Sequence, residues 1–163
     1  GFLNHASPLY AWREEQPLHG STLNKYIGDM PHNWASAECI RYQRHMMILE
    51  ENEKLRLLDG IGIEDLTPRK PFSITYSPTR WGRVSVLLEP IETKAWSVTF
   101  KREDFDATLA PKLSSIEMPR HLPGNFQFVQ MVGTDKFIKN GPRIVIEPTE
   151  LKWQGIYRYL SRY

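Results

Sequence analysis

The sequence predicts an α+β chain in which a loop and one long helix lead into an antiparallel β domain. Three observations carry that expectation. From Trp34 to Leu49 the apolar residues Trp34, Ala37, Ile40, Met47 and Ile48 return at three- and four-residue steps, with Arg41, Arg44, Glu50 and Glu51 on a wetter side. From Phe72 onward Val, Ile, Thr and aromatic residues dominate, in runs that alternate with polar neighbours as half-buried strands require. The twelve prolines fall at segment edges, as suits strands bounded by Pro.

Taken in order, the first thirty residues hold loop formers (Asn4, Pro8, Pro17, Gly20, Asn24, Gly28) and no periodic element long enough to fold alone. The chain therefore reads as beginning partway through a larger domain. Asp29 is a candidate N-cap for the helix, with Pro31 in the first turn where its missing N–H costs nothing, and Asn33 is a second candidate. After "EENEK", the run "LRLLDGI" ends at Gly60, and "GIEDL" suits a single helical turn before Pro68 and Pro71. "FSITYS", "GRVSVLLEP", "AWSVTFKRE", "NFQFVQMV", "RIVIEP" and "LKWQGIYRYLSRY" then read as roughly six strands. "DATLAPKLSSIEMPRHLPG" is a long irregular connection between them. The division implied is residues 1–54, loop plus helix, and 55–163, the β domain.

Composition narrows the function classes. With 163 residues, 40% hydrophobic and 25% charged, the chain can bury a real core, which argues against disorder. Its 21 basic and 19 acidic residues are interspersed, so nothing favours nucleic acid. No apolar run approaches the ~18 residues of a membrane span, and "GFLNHASPLY" lacks the order of a signal peptide. A single cysteine, Cys39, cannot form an internal disulfide and leaves the compartment open. Glycine-rich phosphate loops, paired-cysteine metal sites, His-Glu-x-x-His and nucleophile elbows are all missing from the sequence, so no metal or organic cofactor is expected.

The polar material is concentrated at the front. "YAWREEQPLHGS" sets Glu14 and Glu15 beside Trp12 and Arg13, and "GDMPHNW" adds Asp29, His32 and Trp34. Carboxylates beside an indole suit glycoside hydrolysis, which needs one acid for the leaving oxygen and one base or nucleophile for the anomeric carbon. An aromatic face suits the apolar side of a pyranose.

"GDMPHNWASAECIRYQRHMMILEENEKLRLLDGI", followed by "SPTRWGRVSVLLEP", resembles the C-terminal end of six-hairpin, (α/α)-barrel glycosidases, in the rhamnosidase-like branch. The resemblance implies a fragment: the terminal helix of an (α/α) barrel followed by an antiparallel β-sandwich-like domain. It covers residues 10 to 90, and the rest only through strand-rich character. By that resemblance Glu14 or Glu15 takes the place of the general base, while Trp12, Asp29, His32 and Trp34 line a sugar subsite. The general acid would lie in the remainder of the barrel or another chain, and the reaction would invert the anomeric centre.

Each residue also has a plainer reading. Glu14 and Glu15 can be solvated loop charges, Asp29 a helix cap, and His32 and Trp34 a cap and staple. Glu38 suits a supporting role. Trp81, Trp96 and Trp153 could form a sugar-binding platform or fill a core. Two rival functions remain: a non-catalytic glycan-binding or structural β module, and part of a toroid-type polysaccharide lyase drawing on Tyr26, His32 and Arg13. Exposed strand indoles in a row would favour the glycan-binding module.

Overall fold

Residues 32–103 and 110–160 are described by the structure, a computed structural model. The chain divides into two compact units, residues 1–44 and 45–163. Helix α1 (Asn33–Met47) starts after His32, whose carbonyl accepts the Ser36 N–H at 3.1 Å. At the other end, the Leu58 N–H donates to the Met47 carbonyl at 3.0 Å and the Gly60 N–H to the Met46 carbonyl at 3.2 Å. Two carbonyls that a helix end leaves without intrahelical partners are thus satisfied by a later segment. Gly60 is required for that approach, because a Cβ there would lie 2.6 Å from the Met46 Cα.

Past Met47 the chain becomes strand β1 (Ile48–Glu51), turns through Asn52 and Glu53, and returns as β2 (Lys54–Leu57), with Ile48 opposite Leu57 and Glu51 opposite Lys54. Asn52 takes φ +53°, a conformation its short polar side chain tolerates. Helix α2 (Ile63–Leu66) is the expected single turn, opened by the Asp65 carboxylate accepting the Gly62 N–H at 2.7 Å. Nine strands follow: β3 (Phe72–Thr79), β4 (Gly82–Glu92), β5 (Ala95–Glu103), β6 (Ser115–Pro119), β7 (His121–Leu122), β8 (Phe126–Val132), β9 (Phe137–Asn140), β10 (Arg143–Ile146) and β11 (Lys152–Tyr159).

They form two sheets. One is ordered β1-β2-β6-β10-β9 and the other β3-β4-β5-β11-β8-β7. All recorded pairings are antiparallel except β2 with β6, which run parallel, Leu55 beside Ile116. Alternation then decides the faces. Ile48, Leu55, Leu57, Ile116, Met118, Ile144 and Ile146 of the first sheet share one buried core with Val84, Val86, Leu88, Trp96, Val98, Phe100, Phe128, Trp153 and Tyr157 of the second. The sheets are tied across that core: the Tyr157 hydroxyl donates to the Pro119 carbonyl at 2.5 Å, and the Phe128 and Phe137 rings meet edge-on at 5.7 Å. Burial pushes the Tyr157 phenol well up, so the hydroxyl stays a donor.

The expected terminal helix of an (α/α) barrel is overturned. Among the described residues 54% lie in strands and 15% in helix, with only α1 and the single-turn α2. The β-sandwich-like part of the expectation is compatible with the two sheets. The apolar period from Trp34 to Leu49 was misleading because it joins two elements. Met47 and Ile48 enter the core of the sandwich, whereas Ile40, assigned to the same face, is 68% exposed.

Candidate functional site

At the start of α1, His32 caps the helix: its Nδ1 accepts the Ala35 N–H at 3.4 Å, and its carbonyl also accepts the Ser36 hydroxyl at 3.0 Å. Among the described residues the capping position therefore falls on His32 and not on Asn33. Trp34 is 69% exposed, with its ring centroid 6.3 Å from that of His32 and tilted by 48°. The two residues are thus neighbours, His32 committed to the backbone and Trp34 exposed. Glu38 is paired with Arg41 at 2.6 Å, one turn along the helix. Trp12, Glu14, Glu15 and Asp29 lie outside the described residues, as do Arg13 and Tyr26.

In the β-sandwich, the segment "SPTRWGRVS" acts as a latch. Thr79 accepts the Trp81 N–H at 3.1 Å and donates its hydroxyl to the Gly82 carbonyl at 2.7 Å. Gly82 takes φ +100°, open to glycine and costly for other residues. This turn drives the Trp81 indole into the core, where its Nε1 donates to the Pro111 carbonyl at 3.0 Å. Arg80 covers that indole at 4.7 Å and reaches the β1–β2 hairpin, donating to the Glu50 carboxylate at 3.2 Å and to the Asn52 carbonyl at 2.7 Å. Trp96 and Trp153 are buried too, and Trp153 stacks on Phe100 at 5.0 Å. No platform is made from these three indoles.

An open cleft of about 600 Å³ lies beside Arg56, Asp59, Pro119, His121 and Arg143. Arg143 grips both Asp59 oxygens, and Arg56 Nε lies 2.7 Å from Oδ2 while its Nη1 meets Glu51 at 2.6 Å. The bond to Glu51 is the main reason the Arg56 guanidinium is held above its usual range, against the opposing effect of burial. On the same outer face, Glu117 accepts from Lys54 at 2.9 Å and from the Ser115 hydroxyl at 3.0 Å. Burial alone would raise the Glu117 carboxyl, but those bonds, with the charges of Lys54 and Arg143, outweigh it and hold the group below its usual value. Such carboxylates are acceptors that fix strands. A general acid needs the opposite, a raised and protonated carboxyl.

Among the described residues no cluster of His, Cys, Asp and Glu is placed to hold a metal ion, and no helix is long and apolar enough to cross a membrane. No protein-family model matches the chain, and neither a curated protein nor a solved structure matches it. The Arg80–Glu50 link and the Asp59 cluster were missed by sequence reasoning, because their partners lie tens of residues apart with no motif to join them.

Proposed function

We propose that the chain is part of a carbohydrate-active enzyme that hydrolyses glycosidic bonds, with the β-sandwich as a non-catalytic support and Glu14 or Glu15 as the general base. The observation that carries this reading is the commitment of the sandwich's acidic and aromatic groups: Asp59 and Glu117 are held in ion pairs and Trp81, Trp96 and Trp153 are core. Trp34, exposed beside His32, adds a surface on which a sugar could stack.

The test is turnover. A glycoside hydrolase normally sets two carboxyl groups across the scissile bond, so the 163-residue chain alone is expected to release no reducing sugar from aryl glycosides or polysaccharides. Hydrolysis that disappears in Asp59→Asn or Glu117→Gln would move the chemistry into the sandwich and overturn the reading. In an enzyme containing this chain, replacing the base by Gln should cost about 10²- to 10⁴-fold in rate. Near wild-type turnover in both Glu14→Gln and Glu15→Gln would remove them.

A further inference from the structure

We infer that the corner of the second sheet around Tyr76 binds an acidic saccharide, with the Tyr76 ring as stacking surface and Lys101 and Lys152 as carboxylate contacts. The glycan class rests on the function proposed above; the site rests on two local costs that the sandwich's own packing does not explain.

The first cost is conformational. Between Ile74 and Ser77 the β3–β4 register shifts, so Thr75 and Tyr76 together face Ser85, and Tyr76 takes φ +53°. Glycine suits such a bulge position because a Cβ clashes in the left-handed region. Tyr76 fills it and recovers little by burial, since it is 57% exposed. Its N–H is pinned to the Ser85 Oγ at 3.0 Å, so the bulge holds the residue on the outer face of β4. Strain kept at an exposed side chain points to use of that side chain by something outside the fold.

The second cost is electrostatic. Lys101 stands opposite Lys152 on that outer face, a like-charge cross-strand pair that is unfavourable by itself. The Lys101 ammonium is held up chiefly by its bond to Glu103; Ser85, which pins the Tyr76 N–H, pairs with Lys101 on the next strand, so Tyr76, Lys101 and Lys152 fall in one row across the sheet. Glu89, four residues along β4 from Ser85, is roughly 13 Å away at the usual strand rise. A flat ring in one row with two lysines matches a pyranose carrying a carboxylate: C–H face on the ring, uronate between the lysines.

The experiment titrates the full chain with tetragalacturonate at low salt, beside its methyl ester and short polyglutamate. Tetragalacturonate should bind at least tenfold more tightly than either control. Tyr76→Gly should lose at least tenfold while its melting temperature rises by a few degrees, because the strain is removed; Tyr76→Phe should bind within threefold of wild type. Lys152→Gln should weaken only the acidic ligand. Equal binding of the methyl ester or of polyglutamate, wild-type affinity in Tyr76→Gly, a lowered melting temperature in that variant, or no binding at all would each overturn the assignment. Turnover is read separately, so the hydrolase reading stands or falls on its own assay.

Discussion

Two aromatic residues five positions apart on one hairpin, Tyr76 and Trp81, have opposite relations to the fold. Trp81 sits at the tip, fully buried, with its indole N–H bonded and its ring covered by Arg80. Its positive-φ neighbour is a glycine, Gly82, so the turn carries no strain from a side chain. At the bulge the positive φ falls on Tyr76 itself, and the ring points to solvent. The tip spends its unusual backbone on packing, whereas the bulge gains no packing from a comparable distortion. Aromatic content alone therefore separates nothing. Burial and backbone conformation together distinguish a core anchor from a surface poised for a ligand.

The contrast breaks most visibly at Trp81. Trp81→Ala should destabilise the chain by about 3–5 kcal/mol, through cavity formation and the orphaned Pro111 carbonyl. Denaturant unfolding measures it, and a loss under about 1 kcal/mol would mean the latch is ornamental.

Charge gives the next test, on the opposite sheet. Glu117→Gln should cost about 1.5–3 kcal/mol at neutral pH, since a charge-assisted pair with Lys54 is lost from a buried position. The folded Glu117 carboxyl lies below its ordinary 4.5, so the unfolded chain binds the proton more readily. Its stabilisation is complete above that value and drains away as pH falls through the folded one. The wild-type and Gln curves should therefore converge below about pH 4.5. Parallel curves down to strong acid would contradict the shift.

Arg80 is half-exposed, so its pair with Glu50 is screened. Arg80→Ala should cost only about 1 kcal/mol, mostly from the Asn52 bond and the lost cover over Trp81. A loss comparable to Trp81→Ala would show that the guanidinium, not the indole, anchors the tip. The smallest effect has the other sign. Tyr76→Gly should stabilise by about 0.5–1 kcal/mol, the relief of left-handed strain less the chain entropy of glycine, as read by thermal unfolding.

How much of this was legible follows from the range of each interaction. Periodicity is local, so the helix through Met47, the single turn at Ile63–Leu66 and the long strands from Phe72 to Glu103 could be read from residue order. The same local signal failed at Ile48, where a helical period continues into a four-residue strand too short to announce itself. The β1–β2 hairpin exists because β2 finds β6, some sixty residues away, and because Leu58 and Gly60 return to close the helix. No sequence window contains both partners.

At the candidate site, residue order determined which chemical groups are close along the chain: an indole and two glutamates at 12–15, an imidazole and an indole at 32–34. Tertiary structure decided what the described ones do. His32 became a cap because its Nδ1 meets a backbone N–H, Trp34 stayed exposed, and three strand indoles went inside. It also decided that Tyr76 should occupy a glycine-like bulge and that Lys101 should stand beside Lys152. Side-chain type is a property of the sequence, but accessibility, register and the sign of the neighbouring charge are properties of pairing between distant strands, which only folding creates.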